Sequence, residues 1–428
     1  MPLSYTPRRL LQHPHRPLFY ILETDHETTA LPTSHTNGHA NGHIDYDPVQ
    51  FGLPKTGQGT WASCIRIVDP LQMETVFRLH LDENEGAMCA AIVNFFNRGD
   101  DLYLCVGTGQ GVSFYPPKVP SAFINTYLIS PDGKKLELVH KTPVEQPPGA
   151  LLGFQGKLLA GVGKSLRIYE IGLQRLLRKH DSEVSPLAFN RADTQCAHKK
   201  IVDLHTQGSR VIIGDVQESV SLATYKHVDN KFLVFCDDFI SRWTTASVMM
   251  DYDTIAGGDK FGNIWVVRCP PDVSEASDDE IKVAQMMHEK RDLAGAPHKL
   301  DMLAHYFLND IPTGLHRTRL VAGGRDILLF TGLMGTVGIY VPFVSRDDIE
   351  FFQQLEMHLR AEDQPIAGRD HMIYRGYYVP VKGAIDGDLC ERFGSLPLEK
   401  QRRIANEMDR SIAEVQKKIE DMRVRVAY

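Results

Sequence analysis

The sequence predicts a mainly β protein: a β-propeller of about six to seven blades followed by a small α-helical C-terminal domain. Three observations predict it. Apolar runs recur in pairs across Gly-bearing or polar turns. The markers Gly161, Gly214 and Gly257 stand 53 and 43 residues apart, near the roughly 40–50 residues of a four-stranded blade. From Ser345 onward the apolar spacing turns helical.

The repeat is clearest in GKLLAGVGKSLRIYEI (156–171), SRVIIGDVQESVSLATY (209–225), YDTIAGGDKFGNIWVVR (252–268) and RDILLFTGLMGTVGIYV (325–341). LYLCVGTGQGVSFY (102–115) fits the same template. Val, Ile, Leu and Tyr favour a pleated, buried surface, and Gly supplies the positive φ of a tight turn. The stretches ALLGFQ, KIVDLHTQ, ASVMMD and RLVAGG precede these units, so each unit has at least three strands. FYILETD (19–25) and SCIRIVD (63–69) read as a further blade, interrupted by a low-complexity loop at 33–52. Insertions are expected at 178–200 and 270–300. The propeller therefore spans 1–344.

The helical domain spans 345–428. Ser345 reads as an N-cap with Asp348 three residues on, and Ile349, Phe352, Leu355 and Leu359 follow at helical spacing. Pro397 starts a weaker helix over 397–408. Ser411 and Glu414 make a capping-box pattern ahead of an apolar face of Ile412, Val415, Ile419 and Met422.

Composition narrows the function. The 428 residues carry a formal net charge of -7, which lacks the basic surplus of a nucleic-acid binder; any such contact is expected to be indirect or minor. The seven cysteines, at 64, 89, 105, 196, 236, 269 and 390, form no CxxC pair and read as buried thiols of a reducing compartment. No secretory signal and no run of about 18 apolar residues is visible, so a soluble intracellular protein without a membrane contact is expected.

Candidate chemistry is sparse. GTGQG (107–111) and GGDKFG (257–262) are followed by apolar strands, not by the helix N-terminus a phosphate loop needs. His35, His39 and His43 are four apart, but Gly and Asn between them oppose a metal-binding helix. Asp251 and Asp253 lie close together, as turn carboxylates do. No catalytic residue, cofactor, metal or small-molecule substrate is expected. Three residues are candidate partner contacts. Arg242 and Trp243, in DDFISRWTTAS, read as an interface anchor or as a Trp packed between blades. Glu218, in GDVQESV, reads as a solvated turn charge or as a contact at the propeller's end. Asp386-Gly387-Asp388 reads as a turn opening a helix, with Asp388 as N-cap, or as an acidic ligand site.

HKTPVE (140–145), GVGKSLRIYEIG (161–172), DVQES (215–219), DYDTIAGGDKFGNI (251–264), FFQQLEMHLR (351–360), GRDH (368–371) and IDGDLCERF (385–393) together resemble the C-terminal third of the splicing factor 3b subunit 3 family. That family lies within a wider group that includes the large subunit of the damage-specific DNA-binding protein and the A subunit of the cleavage and polyadenylation factor. The resemblance implies the third propeller of a triple-propeller protein, a nuclear, non-catalytic scaffold in pre-mRNA splicing. It implies as partners the HEAT-repeat large subunit and a small helical subunit of splicing factor 3b. In the family the first and third propellers grip helical partners, and Glu218 and Trp243 fall where relatives face that groove. The alternatives are a cullin-type ubiquitin-ligase adaptor and a cleavage-polyadenylation factor A subunit; Glu218 departs from the adaptor's basic residue. In the family a strand from the extreme N-terminus completes this propeller, so a chain without it is expected to leave one blade incomplete.

Overall fold

A computed structural model of the chain describes residues 3–26, 59–173, 175–183, 200–227, 230–279, 282, 285, 295–362, 368 and 370–425. The loop 33–52, its three histidines and Cys196 lie outside the described residues, as do 184–199 and most of 280–294. The other six cysteines are buried free thiols.

Six blade sheets follow one another along the chain. Blade 1 runs β1 (Pro7–Gln12), β2 (Phe19–His26), β3 (Trp61–Asp69), β4 (Glu74–His80). Blade 2 holds β5 (Glu85–Asn94) and β6 (Leu102–Gln110) and then, past a small hairpin of β7 (Ser113–Phe114) and β8 (Pro117–Lys118), β9 (Ser121–Ile129) and β10 (Leu136–Val144). Blade 3 is β11 (Pro148–Phe154), β12 (Lys157–Val162), β13 (Ser165–Ile171) and β14 (Leu176–Glu183). Blade 4 is β15 (Ile201–Gln207), β16 (Arg210–Asp215), β17 (Val220–Lys226) and β18 (Lys231–Asp237), extended by a later strand, β22 (His298–Lys299). Blade 5 is β19 (Thr244–Met249), β20 (Thr254–Asp259), β21 (Asn263–Arg268) and β23 (Asp301–Phe307), with helix α1 (Pro271–Ser277) between its last two strands. Blade 6 has three strands, β24 (Pro312–Thr318), β25 (Ile327–Gly332) and β26 (Val337–Tyr340). The architecture is mainly β, a six-blade propeller arrangement with C-terminal helices, as the sequence predicts.

By compactness the chain divides into two units. One comprises Met1–Asp215, Leu222–Val234 and Arg291–Gly295; the other comprises Val216–Ser221, Phe235–Lys290 and Ala296–Tyr428. In the first, Leu18, Tyr20, Ile65, Ile67, Leu104 and Val106 form one apolar cluster, and Cys105, Ile124, Leu158, Ala160 and Tyr169 belong to another. FYILETD and SCIRIVD do pair antiparallel, Phe19 opposite Val68 through His26 opposite Trp61. The Arg66 guanidinium crosses this pair to ion-pair with the fully buried Glu23. Glu23 also accepts the backbone N–H groups of Ser4 at 2.7 Å and Tyr5 at 3.0 Å. One carboxylate thereby satisfies a buried cation and two backbone donors.

In the second unit, Ala256, Ile264, Leu315, Leu328 and Phe330 form the apolar cluster of blades 5 and 6. After blade 6 its described helices are α2 (Arg346–Glu362), α3 (His371–Arg375), α4 (Gly387–Glu391), α5 (Leu398–Glu407) and α6 (Ile412–Val424), with a 3-10 turn at Arg392–Ser395. Phe352, Leu355 and Leu359 of α2 bury against Leu389, Phe393, Ile404 and Val415. The Ser411–Glu414 capping box forms in full. At α2, Ser345 Oγ accepts the Asp347 N–H at 3.2 Å, whereas the Asp348 carboxylate is taken by Lys418 and Arg425.

Three local expectations are corrected. In 102–115 the run after the glycines does not return along β6; β9 does, and VSFY starts the small hairpin. RLVAGG is not a strand: Gly323 has φ +81°, and the chain turns there. The strand is the more polar β24, half-exposed and paired with β25. The marker glycines Gly161, Gly214 and Gly257 lie within strands, not turns. A Cβ on Gly161 would sit 2.5 Å from Ile201 Cγ2, and one on Gly257 2.1 Å from the Trp265 ring. Gly107 and Gly258 repeat the device: their Cβ positions lie 2.8 Å from Pro148 and 2.2 Å from Pro312, each the first residue of the next blade. These glycines allow close approach. Only Gly262, at φ +87°, supplies the turn of the 252–268 unit.

Overpacking such a contact costs about 1–3 kcal/mol. Gly258→Val is therefore expected to lower the urea midpoint of unfolding, followed by circular dichroism. Gly394→Ala, whose Cβ meets no atom within 4 Å, is expected to leave it nearly unchanged.

Candidate partner-binding surface

The sequence candidates Glu218, Arg242 and Trp243 all lie in the second unit, but they do different things. Arg242 is fully buried. Its guanidinium ion-pairs with Asp238, itself 3% exposed, and lies 4.8 Å from the Trp265 ring centroid. Magnitudes decide why these groups occur together: a buried charge stripped of its partner costs roughly 3–5 kcal/mol. Asp238 also accepts the Ser219 hydroxyl at 2.6 Å, and the Ser219 N–H donates to the Arg242 carbonyl at 3.1 Å. Ser219 adopts φ +62°, a left-handed conformation that a non-Gly residue keeps only when its surroundings hold it there.

This polar knot fixes the loop above it. Trp243, next to Arg242, is 37% exposed and carries Lys260 Nζ over its ring at 3.0 Å. The Lys260 N–H donates to the Trp243 carbonyl at 2.9 Å. Glu218 is half-buried and accepts the Ser241 hydroxyl at 3.0 Å. Phe239, in the same loop, is 80% exposed.

The surface continues onto residues that sequence reasoning missed. Phe261 follows Lys260 at the tip of the β20–β21 hairpin. Asp259 shapes that tip by accepting the N–H groups of Phe261 at 2.9 Å and Asn263 at 3.1 Å. The segment between α3 and α4 lies against it. Tyr377 stacks on Phe261 and on Phe307, with centroids at 6.1 and 5.5 Å. The Tyr378 hydroxyl donates to Asp259. Lys382 exchanges backbone hydrogen bonds with His305, at 2.8 and 3.0 Å. The signal for this patch was present as a Lys-Phe pair at a turn and a Tyr-Tyr pair between helices, but nothing in sequence spacing joins positions so far apart.

Beneath it, the His305 ring is fully buried, and its nitrogens find no hydrogen-bond partner among the described residues. Burial, then the nearby Arg242 charge, push its pKa down to about 4.

In the Asp386-Gly387-Asp388 motif Asp386 is buried, whereas Gly387 and Asp388 are exposed. Asp386, not Asp388, is the N-cap of α4, accepting the Leu389 N–H at 3.2 Å; Asp388 falls in the first turn. The reason is tertiary: Asp386 also meets Arg375 Nε at 2.9 Å and His371 Nε2 at 3.0 Å. Burial alone would raise its pKa, but the His371 hydrogen bond and the Arg375 charge outweigh that and hold the carboxyl well below the usual range. The weighed Asp251–Asp253 pair is a turn: Asp251 accepts the N–H groups of Asp253 at 2.9 Å and Thr254 at 2.7 Å. Among the described residues no helix is long and apolar enough to cross a membrane.

Comparison with known proteins now adds the family. The family model for the CPSF A subunit region matches residues 62–395, and the chain belongs to that family. The pre-mRNA-splicing factor rse1 of Emericella nidulans is 50% identical over 434 residues, covering 100% of this chain and 35% of that protein. The rse1 protein of Neurospora crassa is 47% identical over 436 residues, with the same coverage. Splicing factor 3B subunit 3 of Danio rerio is 40% identical over 450 residues, covering 100% of this chain and 36% of its own length. The chain thus spans little more than a third of the length of the curated relatives it matches.

Two outcomes are expected. Arg242→Met strands Asp238 and should cost about 3 kcal/mol or more. Arg242→Met combined with Asp238→Asn should lose less than the sum of the two single changes, as a double-mutant cycle in urea reads. The second concerns acid. The folded His305 ring resists a proton that the unfolded ring takes up near pH 6.5. Stability present above that pH is then lost as pH falls toward 4. His305→Gln should flatten this slope in thermal melts between pH 7 and 4.

Proposed function

We propose that the chain serves as a non-catalytic protein-interaction scaffold in pre-mRNA splicing, within the nuclear assembly of splicing factor 3b. The observation that carries this reading is the match along the whole chain to proteins named as pre-mRNA-splicing factors. Its partners on this reading are the HEAT-repeat large subunit and the small helical subunit of that complex. Trp243 and Glu218 are the contacts, and Arg242 acts from below by fixing the loop that presents them. An exposed Trp beside a buried, rigid anchor has the character of a binding hot spot. The chemistry on the surface is aromatic and weakly charged, which suits recognition of a folded partner better than turnover.

Pull-down from nuclear extract with the chain as bait, read by mass spectrometry, is expected to recover the HEAT-repeat subunit. Recovery of a cullin without splicing proteins would overturn the reading. Trp243→Ala should weaken partner binding by about 2 kcal/mol, roughly thirtyfold, with the thermal midpoint unchanged.

A further inference from the structure

We propose that the ridge formed by Trp243, Lys260, Phe261, Tyr377 and Lys382 docks an acidic segment of a partner protein that also carries apolar side chains. The inference rests on the scaffold reading and adds the chemistry of what is bound.

The ridge is exposed and apolar in a way a lone surface aromatic is not. Phe261 is 42% exposed and Tyr377 60% exposed, and Phe261, Tyr377 and Phe307 stack in one row. Contiguous exposed apolar surface of this kind marks interaction sites. The row is held from below, because the Tyr378 hydroxyl bonds to Asp259 and Lys382 is bridged to His305. A platform ordered before the partner arrives loses little side-chain entropy on binding.

Charge selects the occupant. Lys260 Nζ stands 3.0 Å from the Trp243 centroid and 5.1 Å from that of Phe261. Among the described residues neither Lys260 nor Lys382 has a carboxylate within ion-pair distance. Two lysines without counter-charges, flanking an apolar row, are complementary to Asp or Glu set beside apolar side chains. Single-stranded RNA fits less well. Its bases need open ring faces and its backbone a basic groove. Here Tyr377 already stacks on two rings, and Lys260 covers a face of Trp243. A second copy docked by the same ridge would set like charges against each other.

The test uses the full chain with p-benzoylphenylalanine replacing Tyr377, irradiated in cells, and the crosslinked segments mapped by mass spectrometry. Crosslinks to segments with a surplus of Asp and Glu around apolar residues are expected. Lys260→Glu together with Lys382→Glu should cut their yield about tenfold, with the thermal midpoint preserved because both side chains are exposed. Crosslinks to RNA, to a second copy or to neutral or basic segments would overturn the proposal, as would no crosslink or indifference to charge reversal. Co-purifying splicing proteins, counted in the same samples, report on the scaffold reading separately: their recovery with no acidic crosslink sinks this inference alone.

Discussion

At three points neighbouring blades approach each other most closely where one of them has no side chain. Gly107 admits Pro148, Gly161 admits Ile201 and Gly258 admits Pro312, at distances where a Cβ would overlap the incoming residue. Each pair joins the second strand of one blade to the first residue of the next. Close-packed interiors transmit such constraints. The apolar clusters that straddle consecutive blades in each unit form only if the first strands can settle this near. Gly257 uses the same absence within a blade, leaving room for the Trp265 ring on the next strand.

The candidate surface depends on that placement. Trp265, seated over Gly257, receives the Arg242 guanidinium. Arg242 in turn holds Asp238, and Asp238 holds Ser219 in a left-handed conformation. Strain at Ser219, a buried ion pair and an exposed Trp form one connected chain of causes. Displacing the Trp265 ring would therefore be felt at the surface through Arg242, although no residue of the interface is changed.

Much of the fold was legible because strand and turn chemistry are local. The hairpins 156–171, 209–225, 252–268 and 325–341 were read from apolar runs and their punctuation alone. The capping box at Ser411 and Glu414 needed only four residues. What escaped was non-local. β24 was passed over because half of its side chains face solvent, while the more apolar RLVAGG turns at Gly323. Strand β9 was missed because a small hairpin intervenes before the chain returns. Asp388 was favoured as the helix cap on local grounds, yet Asp386 caps because Arg375 and His371 reach it from another helix.

The amino-acid sequence by itself determined the class of fold, the change to helix after Ser345, the absence of a phosphate-loop context and the family resemblance. These rest on periodicity and on motifs whose members are neighbours along the chain. Tertiary structure alone decided what the repeated glycines do and which of two adjacent residues is exposed. Spacing predicted turns at Gly161, Gly214 and Gly257, and packing made them points of contact. Arg242 and Trp243 were read as a pair, but one is sealed beneath the surface and the other lies on it. Both stand in the loop just ahead of β19, where Asp238 and the Trp265 ring draw Arg242 inward and leave Trp243 at the surface.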